Sequence, residues 1–388
     1  MTNPVQELLG KPAIEALKRP IGQAFGLPGA AFTSDAFFDL EKEALFPRTW
    51  TVAGVASDIP KPGDAKPVTV SGLPLMLVRD REGQIRAFHN VCRHRGMRLL
   101  TGPCKGQTTL RCPWHSWSYA LDGRCMATPN IGGVGVNEAK GFEKSELGLK
   151  PVRAGVWLNT VFVNLDGKAP PLSEHVAPYE EYYSAFDLSL LRHSGYTDRE
   201  FKANWKLCIE GGIEDYHLPW VHPQFFEGVP AWHGRAILDR SLVGTESWFG
   251  KSDVDLYGAK RELPCFPGLN DDHRQTGNFM VLFPNAGLSI GPDHMAITHY
   301  VPKSAGLTYY RKDYYFIGDA ATDPAFEEAR KTVTSGWLQI NDQDQSIVEP
   351  LHENHRTRDK IGIDNRFSPE WEGAIRGFQT LVVDTMMR

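Results

Sequence analysis

Hydrophobic positions in the first fifty residues recur at the three- and four-residue steps of an amphipathic helix. The clearest run follows Thr33-Ser34-Asp35, which has the composition of a helix N-cap. The apolar members of this run are Phe37, Phe38, Leu40, Ala44 and Leu45. The pattern predicts a helical N-terminal part.

From about residue 50 to residue 166 the pattern changes to short segments that alternate or run apolar, which is typical of strands. Asp80-Arg81-Glu82-Gly83 and Leu121-Asp122-Gly123 have the composition of hairpin turns between such segments. The segment 156–167 predicts one more hairpin, and residues 168–174 have the composition of a linker. This region is therefore predicted to be all-β.

Beyond residue 170 the two patterns are mixed. Residues 201–217 are predicted to be helical despite two glycines, and segments between 278 and 318 are predicted to form strands of an antiparallel sheet. A long helix is predicted from about Asp323 to His352. The order of elements indicates an all-β domain inserted into a larger α+β domain.

The predicted boundaries give three stretches of chain. Residues 1–48 form the N-terminal helical part of the α+β domain, residues 49–167 form the all-β domain, and residues 168–388 complete the α+β domain.

Composition narrows the possible partners and compartment. The 388 residues are 41% hydrophobic and 23% charged, with a formal net charge of −5, which gives no electrostatic reason to expect nucleic acid or an anionic membrane as a partner. No run approaches the roughly 18 apolar residues of a membrane-spanning helix, and the N-terminus lacks the apolar core of a signal peptide. We therefore expect a cytoplasmic protein.

Cysteine and histidine combine in one short region. Six cysteines are too few for a disulfide scaffold. Cys92 and His94 form one pair and Cys112 and His115 a second, each at the end of a strand-like segment. Structural zinc sites usually pair two cysteines and two histidines separately. One cysteine and one histidine from each loop instead suit a [2Fe–2S] cluster in which two thiolates hold one iron and two imidazoles the other.

A second group of ligand types lies in the α+β part. His217 and His222 are five residues apart, and an acidic residue would complete the 2-His-1-carboxylate triad that leaves iron positions open for O2 and substrate. Asp344 falls on the apolar stripe of the long helix, whereas Asp342 lies about 200° away on the opposite face. The stripe consists of Val333, Trp337, Ile340, Ile347 and Leu351.

A carboxylate on a buried helix face is costly unless it is paired or bound to a metal. Asp344 is therefore predicted as the third ligand and Asp342 as a surface acid. The alternative is that Asp344 forms an ion pair with a nearby Arg or His.

These motifs resemble those of Rieske non-haem iron oxygenase α subunits. The cluster pair is CRHRGMRL and CPWHSWSYALDGR, and the catalytic elements are NWK, E-x-Y-H-x4-H, D-x4-E-x2-H and the tail FSPEWEGAIRGFQ. The resemblance implies a Rieske [2Fe–2S] domain inserted in a helix-grip (START-like) catalytic domain, whose antiparallel sheet wraps around the long C-terminal helix. It also implies mononuclear Fe(II) as the second cofactor.

Glu214 stands three residues before His217, where aromatic-ring dioxygenases of this family usually carry Asp. In the family this acid links a cluster histidine of one subunit to an iron histidine of its neighbour, which implies a catalytic role for Glu214 in electron transfer. Its Glu form resembles the branch that acts on quaternary ammonium compounds such as carnitine, glycine betaine or stachydrine.

The resemblance implies an O2-dependent oxygenase component, and transfer across a subunit boundary implies a homotrimer. The segment GGVGV at Gly132 lacks the G-x-G-x-x-G spacing of a dinucleotide site, so NAD(P)H must act through a separate flavin- or ferredoxin-type reductase. We predict monooxygenation and N-demethylation of a small betaine-like compound, with mono- or dihydroxylation of an aromatic ring or aromatic acid as the alternative. More distant alternatives are a non-catalytic Rieske electron carrier and a zinc-binding scaffold.

Aromatic residues are frequent in the catalytic half. Some of them could form a cation–π cage for an ammonium group, and a hydrophobic core or a pocket for a flat substrate is an equal alternative. The residues are Trp220, Phe225, Phe226, Trp232, Trp248, Phe249, Tyr257 and Phe279.

Overall fold

The computed structural model describes residues 3–226, 232–249 and 262–388, and for Phe225 and Phe226 it describes the backbone alone. The chain divides into two compact units. One consists of Met1–Leu45 together with Pro170–Arg388, and the other of Phe46–Ala169. The second unit is thus inserted in the sequence of the first.

The N-terminal residues of the first unit are helical, as the pattern predicts. The Ser34 hydroxyl accepts a hydrogen bond from the backbone N–H of Phe37, which starts the longest of these helices. The helices are α1 (Pro4–Leu9), α2 (Lys11–Leu17), α3 (Ala30–Thr33) and α4 (Asp35–Ala44).

The inserted unit is built from strands. They are β1 (Thr51–Val55), β2 (Ala65–Val70), β3 (Leu73–Arg79), β4 (Ile85–His89), β5 (Leu110–Arg111), β6 (Ser118–Tyr119), β7 (Cys125–Ala127), β8 (Pro151–Trp157) and β9 (Thr160–Asn164). A six-stranded antiparallel sheet has the order β1-β9-β8-β4-β3-β2, and β5-β6-β7 form a small three-stranded sheet. The predicted hairpins β3–β4, β6–β7 and β8–β9 are all present.

Both faces of the larger sheet are buried inside this unit. Leu75 and Leu77 on β3 join one hydrophobic cluster, whereas Met76 and Val78 join the other. Successive side chains on a strand point to opposite faces, so a continuous apolar run fills both clusters. The second cluster also contains Cys92 and Cys112.

The rest of the first unit combines helices with one large sheet. Its elements are α5 (Leu172–Tyr182), β10 (Leu191–Phe201), α6 (Trp205–Glu210), α7 (Leu218–Val221), α8 (Pro223–Phe226), β11 (His233–Asp239), β12 (Leu242–Trp248), α9 (Asp271–Arg274), β13 (Thr276–Leu282), β14 (Ala286–Ile290), β15 (His294–Ser304), β16 (Leu307–Ile317), α10 (Glu327–Ile361) and α11 (Gly373–Met387).

Strands β10 to β16 form a seven-stranded antiparallel sheet in the order β10-β16-β15-β14-β13-β12-β11. The first half of the long helix α10 packs on this sheet, where Val333 and Trp337 share a hydrophobic cluster with Ala296, Tyr314 and Phe316. The predicted fold class, an all-β domain inserted in an α+β domain with an antiparallel sheet and a long C-terminal helix, is confirmed.

The prediction of one helix over residues 201–217 is wrong. Phe201 ends β10, and α6 stops at Glu210, immediately before Gly211 and Gly212. Glycine has the largest backbone freedom and destabilises a helix interior, so the pair ends the helix. The linker prediction is wrong at its end, because α5 already begins at Leu172.

The predicted apolar stripe of α10 is only half correct. Val333 and Trp337 are buried, but Ile347 and Leu351 are 52% and 42% exposed. The buried face continues instead through Asn341, Val348, His352 and His355. A hydrophobicity pattern misses this course because three of these four residues are polar.

None of the helices among the described residues combines the length and the apolar character that a membrane crossing requires.

Candidate functional site

Two loops of the inserted unit have the same backbone pattern. The N–H of Cys92 donates to the carbonyl of Met97 and the N–H of Cys112 to that of Trp117, each over 2.8 Å. Cys92 follows β4 and Cys112 follows β5 directly. Each loop therefore presents its cysteine, and the histidine that follows it, from a tight turn.

The four predicted cluster residues differ sharply in exposure. Cys92 and Cys112 are each 2% exposed, whereas His94 and His115 are exposed and their Nδ1 atoms lie 3.1 Å apart. Imidazole nitrogens bind metals at roughly 2.0–2.1 Å, so one metal ion can reach both rings. The donor set thus fits an iron held by two imidazoles beside one held by two buried thiolates.

The two thiols also influence each other. Burial raises the pKa of Cys92 above its ordinary value and the neighbouring Cys112 adds to the rise, while hydrogen bonds from Tyr119 and the backbone oppose it. Metal binding supplies the positive charge that makes such thiols ionise.

Tyr119 is a site residue that the sequence reasoning missed. Its hydroxyl lies 3.2 Å from Sγ of Cys92 and accepts a hydrogen bond from the backbone N–H of Arg93 over 3.0 Å. Hydrogen bonds to cluster sulfur help to set the reduction potential. The sequence signal that could have identified Tyr119 was its position in a short strand, two residues after Trp117, which closes the second loop.

In the first unit, His217, His222 and Asp344 lie together. Their candidate ligand atoms are all within 4.8 Å of one another. Oδ1 of Asp344 is 3.0 Å from Nε2 of His222 and 3.8 Å from Nε2 of His217. His217 and His222 flank the short helix α7, whereas Asp344 comes from α10. Two imidazoles and one carboxylate at this spacing could hold a metal ion.

The outer nitrogens of both imidazoles have partners of their own. Nδ1 of His217 contacts the Glu214 carboxylate, and Nδ1 of His222 lies 2.8 Å from Oε1 of Gln343. An acceptor at Nδ1 fixes the proton there and leaves Nε2 available as a metal ligand. Gln343 was missed from sequence because nothing but its place beside Asp344 distinguishes it.

The acidic neighbours of His217 also change its pKa. Burial alone would lower its pKa, but the hydrogen bond and charge of Glu214, followed by the charge of Asp344, raise it above its ordinary value. Burial also raises the pKa of Asp215 to about 6. Acidic groups thus surround the imidazoles, as a site for a cation requires.

Asp342, the other acid considered on α10, is 71% exposed on its side chain and forms an ion pair of 2.6 Å with Arg199. It does not belong to the group.

A cavity of about 100 Å³ opens beside these residues and includes Glu214, His217, His222 and Asp344 in its lining. Among the described residues, its walls carry the aromatic side chains of Phe201, Phe249, Phe279, Tyr300, Tyr310 and Trp337. Lys312 is also part of the lining.

Of the eight aromatic residues singled out from sequence, Phe249 and Phe279 line this cavity. Trp220 is 80% exposed, and Trp232 stacks on Trp371 with ring centroids 4.3 Å apart. Trp248 stacks on His233 at 5.2 Å.

Phe225 and Phe226 belong to α8, and Tyr257 lies outside the described residues. The other aromatic residues of the cavity wall lie on β10, β15, β16 and α10. The sequence did not identify them, because these elements are distant in sequence and meet only in the folded domain.

Comparison with known families matches both parts of the chain. Residues 188–388 match the ring-hydroxylating α subunit catalytic domain, and residues 49–138 match the Rieske [2Fe–2S] domain.

Relatives match over most of their own length. The chain is 31% identical over 347 residues to the carnitine monooxygenase oxygenase subunit of Escherichia coli K12, covering 87% of this chain and 86% of that protein. It is 27% identical over 363 residues to the glycine betaine monooxygenase oxygenase subunit of Pseudomonas aeruginosa, covering 86% and 82%.

Solved structures share the fold. A quaternary ammonium Rieske monooxygenase has a TM-score of 0.77 at 23% identity, with 96% of this chain and 98% of that chain covered. Naphthalene 1,2-dioxygenase from Rhodococcus also has a TM-score of 0.77, at 18% identity, with 100% and 99% covered.

Proposed function

The chain belongs to the family of ring-hydroxylating α subunits and is a Rieske-type oxygenase, and on this premise we propose that it demethylates a small quaternary ammonium compound. The observation that carries the proposal is the His217, His222 and Asp344 group in the lining of a cavity that also contains aromatic rings. Ring faces attract ammonium groups. The carnitine and glycine betaine enzymes among its relatives support the same substrate class.

The two cofactors of the family are a Rieske cluster and a mononuclear iron. The cluster would be held by Cys92, Cys112, His94 and His115. The distance of 3.1 Å between Nδ1 of His94 and Nδ1 of His115 supports this ligand set. His217, His222 and Asp344 would hold the mononuclear iron. Iron bound there supplies open positions for O2 beside the substrate.

The residues of the chain itself orient and shield this centre. The Glu214 carboxylate holds Nδ1 of His217, and Gln343 holds Nδ1 of His222, so both Nε2 atoms point to one place. The aromatic walls bind the apolar N-methyl groups of the substrate.

The reaction balances with external electrons. One O2, two electrons and two protons convert an N-methyl group to N-hydroxymethyl and release one water. The N-hydroxymethyl ammonium then loses formaldehyde and a proton, which leaves a tertiary amine. An oxygenase subunit of this type receives its electrons from a separate reductase; we propose a flavin- or ferredoxin-type protein that oxidises NAD(P)H.

We further propose a homotrimer in which Glu214 connects to a cluster histidine of a neighbouring copy. Exposed apolar residues support such contacts on each unit: Val91, Met97 and Trp114 near His94 and His115, and Tyr216 and Trp220 near His217. The cytoplasmic location expected from the sequence stays a prediction.

The test is a coupled assay with reductase, NADH and O2 that compares glycine betaine and carnitine with benzoate and anthranilate. We expect NADH consumption with formaldehyde release from a methylammonium compound. The Asp344→Ala variant serves as the negative control. Hydroxylation of an arene, with no formaldehyde from any methylammonium compound, would establish the alternative substrate class instead.

A further inference from the structure

Lys312 brings an amino group into the cavity lining. It lies on β16 between Thr197 of β10 and Thr298 of β15, and the residue is only 3% exposed. Its Nζ lies 3.5 Å from the ring centroid of Trp337 and 5.7 Å from that of Tyr310. All three residues line the cavity.

The ammonium group of Lys312 lacks an anionic partner. Within the described ranges, no hydrogen bond or ion pair is formed by its Nζ, which contacts ring faces instead. Burial lowers its pKa to about 7, Asp344 opposes that shift and Arg199 adds to it. A buried cation is costly without a hydrogen-bonding counter-charge.

A second buried lysine among the described residues, Lys206, is a useful contrast. Lys206 is 0% exposed and forms an ion pair with the buried carboxylate of Glu41. Lys206 is thus neutralised inside the protein, whereas the charge of Lys312 faces a cavity. This difference indicates that the counter-charge of Lys312 arrives from outside the chain.

The ring under Lys312 is held in place. Nε1–H of Trp337 donates to Nε2 of His294 over 3.2 Å, and Nδ1 of His294 lies 2.6 Å from Asp293. The Trp337 face that could receive the ammonium of a ligand is therefore already covered by the protein's own ammonium. A ligand group beside Lys312 must be an anion or a hydrogen-bond acceptor.

We propose that Lys312 binds the carboxylate of the substrate and so selects a betaine, meaning a quaternary ammonium compound with an acid group on the same small molecule. The cavity lining combines Lys312 with the carboxylates of Glu214 and Asp344, so it offers groups for both charges of such a substrate. The ammonium half of this substrate rests on the proposed function. A cation without an acid group would meet a like charge at Lys312 and leave it without a partner.

The test measures binding to the purified oxygenase with both iron centres loaded, by isothermal titration calorimetry. The probes are glycine betaine, choline and benzoate, which carry respectively both groups, the trimethylammonium group alone and the carboxylate alone. The variants are Lys312→Met, which removes the charge, and Lys312→Arg, which keeps it. Lys303→Met is the matched control, since Lys303 is an exposed lysine on the neighbouring strand that lies over the Tyr309 ring.

We expect Lys312→Met to weaken binding of glycine betaine by about thirtyfold or more, the low end of losses for buried charge pairs. Lys312→Arg should retain most of the affinity, and Lys303→Met all of it. Choline should bind the wild-type protein more weakly than glycine betaine and gain affinity in Lys312→Met.

Two results separate this inference from the proposed function. If benzoate binding depends on Lys312 while no methylammonium compound is turned over, the anion site stands and the demethylase proposal fails. If Lys312→Met binds and demethylates glycine betaine as the wild type does, or if the wild type binds neither carboxylate, the role of Lys312 is refuted. Thermal unfolding of each variant checks that it is folded.

Discussion

Oδ1 of Asp344 lies 3.0 Å from Nε2 of His222, although one side chain comes from the long helix α10 and the other from the loop after α7. His217 reaches the same oxygen at 3.8 Å. Nδ1 of His217 and Nδ1 of His222 are turned to Glu214 and Gln343, so both Nε2 atoms face the Asp344 carboxylate in an arrangement that could hold a metal ion.

Replacing Asp344 by Ala should remove the mononuclear iron. We expect metal analysis to show a loss of about one iron per chain, with an unchanged cluster spectrum, because the cluster ligands belong to another unit of the chain. Asp342→Ala is the control, since that acid is exposed two residues earlier. Full iron occupancy in Asp344→Ala would refute the ligand assignment.

Replacing Glu214 by Gln should slow turnover by about 10- to 100-fold, as is usual for residues that orient a metal-bound histidine. The amide keeps the size of the side chain but loses its charge. Stopped-flow measurement of cluster re-oxidation by O2 with substrate present should show the slow step, while reduction by the reductase stays normal. A variant that turns over at the wild-type rate would exclude a role for this carboxylate.

Replacing Tyr119 by Phe should make the cluster's reduction potential more negative. The hydroxyl lies 3.2 Å from Sγ of Cys92, and a hydrogen bond of about 1 kcal/mol that favours the reduced state corresponds to about 40 mV for one electron. Spectroelectrochemical titration of the cluster measures the shift. An unchanged potential with an intact cluster would mean that this contact does not tune the sulfur.

Replacing Lys312 by Met should stabilise the protein at neutral pH. Burial lowers the pKa of Lys312 from its ordinary value to about 7, with Asp344 and Arg199 as the charged groups that act on it. Between pH 7 and the ordinary lysine pKa of about 10.4, the unfolded chain therefore binds more protons than the folded one, and wild-type stability rises with pH across that window.

The gain from Lys312→Met should be on the order of a few kcal/mol below pH 7 and vanish towards pH 11. Thermal unfolding followed by circular dichroism between pH 6 and pH 10 measures it. A lower unfolding temperature for the variant at pH 7 would contradict the lowered pKa.

Local patterns were sufficient to predict the strand-rich character of the inserted unit and its hairpins. Turn residues such as Asp80–Gly83 and alternating apolar positions act over a few residues, so their outcome can be predicted without the rest of the chain. The same holds for α4, whose Ser34 cap is a contact between near neighbours.

Contacts between distant segments could not be predicted in this way. The helix expected through His217 ends at Glu210, and the buried face of α10 passes through Asn341 and His352 instead of Ile347 and Leu351. Which face of a helix is buried depends on what packs against it, and polar residues on that face are invisible to a hydrophobicity pattern.

The sequence by itself determined the fold class and the kinds of metal-binding chemistry, because Cys92-x-His94, Cys112-x2-His115 and His217-x4-His222 each lie within one short segment. The sequence also favoured Asp344 over Asp342 as the acid that joins the histidines. The tertiary structure decided that Tyr119 and Gln343 support the sites and that Lys312 lines the cavity. These residues act on groups from other elements, and such proximity exists only after the chain has folded.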